Sequence, residues 1–334
     1  MKTPASAVPL LLGLLAALFF SATLLLNRKM GLEGGDWGWM SSLRFVIMLP
    51  LLAVPVLLRR EGAGLLRELR ACPGVWLLWS TVGFGLFYAP FTLANTLMPA
   101  WLMGGTWQIT ILMGLLLSPL LYRDARRIIP RPALLISGVV VAGVVLTQIE
   151  HARSLHSPAD LILGLLLTLV AAVAYPLGNR KIMLHLEERG LSLSVYQRVL
   201  GMTLASMPFW LLVAATAGAR SGTPSGAEVL QSGLIALSSG VIATLLFFRA
   251  TDLARSNATA LASVEATQAA EVVFALLGEV LLLSAAWPGP LASLGLAVVV
   301  VGIVAYSTLL RPPAGSAPQP APDPRPHREQ EAVP

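Results

Sequence analysis

The chain has 334 residues, of which 56% are hydrophobic and only 12% charged, with a formal net charge of +6 at pH 7. Ordinary soluble domains carry about 25% charged residues, and a soluble protein of this length has too little interior for so much apolar side chain, so the chain reads as an integral membrane protein. The positive excess then concerns topology, and with no basic stripe for a folded surface it excludes nucleic acid as a partner.

Apolar stretches of about 20 residues, enough for the hydrocarbon core of a bilayer, recur along the chain. They place ten spans near 7–26, 38–58, 74–94, 98–121, 132–149, 159–178, 194–216, 228–250, 257–283 and 289–310. The first follows Lys2 as a signal peptide would, but Asn27-Arg28-Lys29 stands where a small-residue cleavage site belongs, so it reads as a retained helix. Between spans two and three, "EGAGLLRELRA" (61–71) alternates leucine with arginine and suits a short interfacial helix. Tyr175-Pro176 interrupts span six just before Asn179 and loosens its end for gating. The small residues of span eight, "SGLIALSSGVIA", suit close helix packing. Beyond Arg311 the tail holds eight prolines and few large apolar residues, so it reads as disordered.

Charge sets the orientation. Seventeen of the 23 lysines and arginines fall on the side of the N-terminus, chiefly at 59–70, 123–131, 180–189, 249–255 and 311–328. Four face the other way (Arg28, Lys29, Arg153 and Arg220), and Arg44 and Arg198 lie within spans. Lysine and arginine collect in cytoplasmic loops, so both termini are expected in the cytoplasm and the protein in the cell (inner) membrane.

Asn-Arg-Lys occurs twice, at 27–29 and 179–181, each time followed within 20 residues by a lone intramembrane arginine. At an offset of 160, the stretch from Trp107 aligns without gaps to the stretch from Thr267, pairing Gln108 with Gln268. "GVVVAGVV" (138–145) matches "AVVVVGIV" (297–304). The reading is an all-α integral membrane protein of ten transmembrane helices in a 5+5 inverted repeat: residues 1–150, residues 151–311, and a proline-rich cytoplasmic tail, 312–334. Five spans is an odd number, so the second copy enters the membrane from the opposite side, a construction that transporters use around a midplane site.

Ten short helices in this repeat, with "LLGE" (276–279) closing span nine, resemble the drug/metabolite transporter superfamily, EamA-like ten-helix type. "LNRKMGLEGGDWGWMSSLRFVIMLPLL" and "EATQAAEVVFALLGEVLLL" are similar to its multidrug resistance efflux transporter family, over residues 7–310. The resemblance implies export of small molecules. The small four-helix exporters of that superfamily carry an essential glutamate in their first helix, whereas span one here holds no acid.

Intramembrane charge is costly and marks a cavity or a partner. Arg44 lies in the outer half and Arg198 in the inner half, as mates in the repeat; each either snorkels to its nearer interface or serves the cavity. Glu265, Glu271 and Glu279 all lie in span nine, with Glu271 nearest the midplane. Low dielectric disfavours a charged carboxylate, so Glu271 and Glu265 are the candidates for proton coupling. The alternative is silent pairing, Arg198 with Glu265 and Arg44 with Glu271 or Glu279. Gln108 and Gln268 either bond between helices or contact substrate, and Trp107 either stacks on a flat substrate or packs against lipid. Trp37, Trp39, Trp76, Trp101 and Trp287 suit an interfacial belt. The substrate and proton pathway is therefore placed at Arg44, Trp107, Gln108, Arg198, Glu265, Gln268 and Glu271, with Asn27, Tyr175, Asn179 and Glu279 structural or gating.

The sequence has no Walker loop, GxSxG or HExxH. Its four histidines fall in loops or the tail without metal-ligand spacing, and Cys72 is the single cysteine. The chain is read as a secondary transporter, not an enzyme, with no cofactor and no metal. It is expected to export drugs or metabolites by alternating access in exchange for protons, as a monomer or homodimer in the bilayer. The alternatives are a facilitator of the same fold and a membrane-embedded enzyme.

Overall fold

The computed structural model describes residues 7–154, 158–254 and 258–309. The tail from 312 to 334 and Lys2, Arg255, His156 and His327 lie outside the described residues.

The first half comprises α1 (Ala7–Leu32), α2 (Trp37–Leu58), α3 (Gly62–Ala71), α4 (Pro73–Ser80), a π-helical stretch (Thr81–Gly85), α5 (Leu86–Leu97), α6 (Ala100–Trp107), α7 (Ile109–Leu121) and α8 (Arg131–Ser154). The second comprises α9 (Pro158–Glu188), α10 (Val195–Ser221), α11 (Gly226–Ile235), a second π-helical stretch (Ala236–Ala243), α12 (Thr244–Ala254), α13 (Ala258–Ala266), α14 (Ala269–Leu282) and α15 (Pro290–Leu309). Among the described residues every regular element is helical, and nine segments are long and apolar enough to cross a membrane. The region read as span nine is α13 and α14, broken at Thr267–Gln268, and neither piece alone reaches span length.

Two boundaries differ from the sequence reading. Helix α1 runs on to Leu32, so Asn27-Arg28-Lys29 lies inside the helix instead of following it. Helix α9 is unbroken from Pro158 to Glu188 with Pro176 in its interior, so Tyr175-Pro176 does not interrupt it. Neighbouring helices supply the packing that keeps a proline-bearing membrane helix continuous.

Helix starts are capped where chains turn. Asp36 accepts from Gly38 N (2.7 Å) and Trp39 N (3.4 Å) to start α2. Ser194 with Gln197 and Ser225 with Glu228 form capping boxes at α10 and α11, each answering backbone donors that a helix leaves open. Asp36 also pairs with Arg220 (3.0 Å), tying the start of α2 to the end of α10.

The packing exchanges the two halves. Helix α1 lies against α12 and α14, while α9 lies against α5 and α7; α2 pairs with α10, and α8 with α15. The last pair crosses at Gly143 and Gly295, where each glycine faces the other's carbonyl oxygen. The core joins α2, α5 and α10 through Phe45, stacked on Trp210 at 4.4 Å and edge-on to Tyr88 at 5.5 Å. Trp76 and Trp101 are buried here instead of forming part of a belt.

Candidate functional site

Among the described residues four departures from regular α-helix stand out within the apolar segments: the two π-helical stretches, and the tightening to i→i−3 bonds at Gln108, between α6 and α7, and at Thr267–Gln268, between α13 and α14. All four reach one cavity of about 540 Å³, through Phe84, Ser239, Trp107 and Gln268 respectively. Irregular backbone in a membrane helix is tolerated where it lines a cavity, and π-bulges gather at functional sites. Among the described residues, α8 and α15 contribute nothing to the cavity wall.

Arg44, Trp107, Tyr175, Asn179, Arg198, Gln268 and Glu271 all line this cavity. Arg44 is held on two sides. Its Nη2 donates to Ser239 Oγ (3.2 Å), and its guanidinium lies over the Tyr88 ring at 4.0 Å, a contact worth about 2 kcal/mol when desolvated. Tyr88 is fixed in turn, because Asn27 Nδ2 donates to its hydroxyl at 3.1 Å. Asn27 thus lies behind the wall, while Asn179 lines it and donates back to Tyr175 O (2.9 Å).

The silent pairs that the sequence left as the alternative do not form among the described residues. Glu279 pairs with neither intramembrane arginine but with Arg28 (Nε to Oε1, 3.6 Å), and its Oε2 accepts from Trp101 N at 3.0 Å. Glu265 is exposed and off the cavity, with no ion pair to Arg198 among the described residues. Gln108 is buried and bonds Gly104 O in its own turn (3.2 Å), also off the cavity wall. Among the described residues Arg198 and Glu271 make no side-chain hydrogen bond or ion pair, although both lie within electrostatic reach of Tyr175. Gln268 Nε2 and Thr23 Oγ1, both on cavity-lining residues, also lack hydrogen-bond partners among the described residues.

One wall is aromatic. Phe87 contacts Trp107 (5.1 Å) and Tyr175 (4.8 Å), and Phe91 meets Trp107 edge-on at 5.2 Å. Sequence reasoning singled out Trp107 and Tyr175 but missed Phe84, Phe87, Tyr88 and Phe91. Their i, i+3, i+4, i+7 spacing, one helical face, was the available signal. It also missed Ser239, taken for a packing residue, and Arg28, placed in a loop.

The two Asn-Arg-Lys arginines do matching work. Arg28 reaches Glu279 in α14 and donates to Thr96 O (2.9 Å). Arg180 reaches α7, donating to Gly114 O and to Ser118 Oγ (3.1 Å). Each therefore holds the second piece of a broken helix from the other half of the chain.

Apart from the cavity, Glu68, Cys72 and His185 bring ligand atoms within 4.8 Å of one another. His185 lies in α9 and His151 in α8, so neither sits in a loop. The Glu68 carboxylate is already engaged by His185 Nε2 (2.9 Å) and Arg189 Nε (3.2 Å), so its oxygens are accounted for by these two contacts.

Comparison with known proteins agrees with this architecture. The EmrE multidrug resistance efflux transporter family model matches residues 7–311. The chain belongs to this family. It is 48% identical over 312 residues to the uncharacterized protein YjlA of Bacillus subtilis (strain 168), across 91% of this chain and 95% of that protein. It is 45% identical over 268 residues to an uncharacterized 42.1 kDa protein of Shouchella clausii, across 78% of this chain and 69% of the relative. A solved crystal structure shares the fold with a TM-score of 0.59 at 19% identity, covering 90% of this chain and 97% of its own. Family membership and the apolar helices make this a multi-pass membrane protein of a small-molecule transporter family.

Proposed function

We propose that this family member is a secondary transporter exporting small organic molecules across the cytoplasmic membrane by alternating access, in antiport with protons. One observation carries the reading: four helix irregularities from both halves of the chain converge on a single charged and aromatic cavity. Transporters built from inverted repeats place substrate at such broken helices. The exchanged packing, α1 on α12 and α14 against α9 on α5 and α7, supports a 5+5 repeat in which α13 and α14 are two halves of one span. In this reading the halves are residues 1–150 and 151–311, and both termini lie in the cytoplasm.

Arg28–Glu279 and Arg180–Ser118 are the paired latches of this scheme, and opening one while the other holds exposes the cavity to one side at a time. Glu271 is the proton carrier, since among the described residues it faces the cavity without a side-chain partner whereas Glu279 is engaged. The test is gradient-driven flux in proteoliposomes. Wild type should accumulate or expel substrate according to an imposed pH gradient. Glu271→Gln should abolish that response while keeping downhill exchange. Normal gradient-driven flux in Glu271→Gln would move the proton elsewhere, and wild-type flux indifferent to the gradient would make the protein a facilitator.

A further inference from the structure

Residues 59–72, which join α2 to α4, line no part of the central cavity, yet their charges are sorted. They set Arg59, Arg60, Arg67 and Arg70 against Glu61 and Glu68. Both acids turn toward the protein. Glu61 accepts from Ser194 Oγ (2.7 Å), and its carbonyl oxygen accepts from Gln197 Nε2 (2.8 Å), at the start of α10. Glu68 is buried and meets His185 and Arg189 at the end of α9. The cations turn away. Arg59 lies over the Tyr196 ring at 4.8 Å, and Arg60, Arg67 and Arg70 are exposed, with no hydrogen bond or ion pair among the described residues. Arg189 cancels Glu68, whereas a hydroxyl leaves Glu61 charged, so four guanidiniums stand against one carboxylate here.

The same segment borders an apolar groove of about 500 Å³. Its wall includes Val56 and Leu57 of α2, Leu66 and Leu69 of α3, and Leu200 and Leu204 of α10, and Arg60 is its one charged residue among those described. Helix α3 is divided to suit. Leu65 is buried against Gly201 of α10, while Arg67 and Arg70, three apart and so on one face, are exposed. Arg60 itself stands at the turn out of α2 with φ 57°. Its amide bonds Leu57 O (3.0 Å) and that of Glu61 bonds Val56 O (3.0 Å), a Schellman cap whose left-handed position usually holds glycine. A cation is kept at the mouth of the groove against the backbone's preference, and such strain gathers at functional positions. Basic amphipathic segments are held at anionic bilayer surfaces by apolar burial and charge together. The other basic groove, between α7 and α9, offers less, since its Arg126 is taken by Asp124 and Glu187 and Glu188 joins its lining.

We propose that the groove between α2, α3 and α10 binds an anionic glycerophospholipid, with one acyl chain along its leucines, the phosphate on Arg60, and Arg67 and Arg70 supplying the attracting field. Through Glu61 and Glu68 the lipid-bearing helix is tied to α10 and α9, both of which line the central cavity.

Native mass spectrometry of the delipidated full-length protein in detergent counts bound lipid directly, with dioleoyl phosphatidylglycerol and dioleoyl phosphatidylcholine as probes that share their chains. Phosphatidylglycerol should bind about tenfold more tightly. Arg60→Gly should remove most of that preference while leaving the thermal midpoint unchanged or higher, because glycine takes the left-handed conformation without strain. Arg60→Lys should keep part of the preference, and Arg67→Gln or Arg70→Gln should each lower it about twofold. Ala63→Trp, filling the groove from its exposed edge, should weaken both lipids. Arg123→Gln, in the other basic groove, should change nothing. Equal binding of the two lipids by wild type would overturn the proposal, as would a preference that survives Arg60→Gly undiminished or is lost in Arg123→Gln. Displacement of phosphatidylglycerol by an equal concentration of glycerol 1-phosphate would make this a site for soluble phosphates and overturn the lipid assignment. Only lipid binding is read, so absence of flux in proteoliposomes would leave this proposal standing, and its own failure would leave the transporter reading intact.

Discussion

Arg28 and Glu279 show what a single side chain decides in a low-dielectric interior. The Glu279 side chain is only 3% exposed, and it receives both the Arg28 guanidinium and the Trp101 amide. Removing the arginine strands a buried carboxylate, a loss of about 3–5 kcal/mol. Replacing the acid by its amide keeps an oxygen for Trp101 N and costs less. Arg28→Met should therefore lower the thermal midpoint in detergent more than Glu279→Gln, and adding Glu279→Gln to Arg28→Met should recover part of the loss. Equal effects of the two single variants would mean that the pair contributes little to the fold. Arg44 differs, because its neighbours are a hydroxyl and a ring face. That arrangement keeps a cation in the wall without cancelling its charge.

At the scale of helices, close crossing and interruption divide the labour. At the crossing of α8 and α15, a Cβ added at Gly295 would lie 2.6 Å from Gly143 O, and one at Gly143 would lie 2.7 Å from Gly295 O. Such backbone contact leaves no flexible side chain to yield. Gly295→Val should cost about 1–3 kcal/mol, read as a lower unfolding midpoint, whereas Gly138→Ala meets nothing within 4 Å and should be neutral or slightly stabilising. If both variants behave alike, the crossing is looser than its geometry implies. The interrupted helices do the opposite work. Where the ladder of backbone bonds tightens to i→i−3 at Gln108 and at Thr267–Gln268, or widens at Thr81–Gly85 and Ala236–Ala243, side chains of these and neighbouring turns line the cavity. Ser239 shows the consequence: a small residue in a run that suits packing becomes the hydroxyl that holds Arg44.

At the scale of the whole molecule, orientation remains a prediction from charge. Fusions of a phosphatase or fluorescent reporter should place residues 60–70 and 123–131 in the cytoplasm and residues 30–36 outside. A reporter at 30–36 active on the same side as one at 123–131 would break the topology and the inverted repeat together. Composition and hydropathy alone specified a helical membrane protein, because no soluble fold can bury so much apolar surface and only helices satisfy their own backbone within a bilayer by local bonds. The repeated Asn-Arg-Lys and the Gln108–Gln268 match were likewise legible, since recurrence along a chain is read from the residues themselves. Five of the seven residues placed in the pathway from the sequence line one cavity, because charge inside a span must face something other than lipid. Pairing was not legible. Depth along a helix says how far an ionisable group lies from the surface but not which neighbour its helix turns toward. Only the packing of α1 on α14 decided that Glu279 belongs to Arg28, leaving Arg198 and Glu271 without side-chain partners among the described residues on the wall of the cavity.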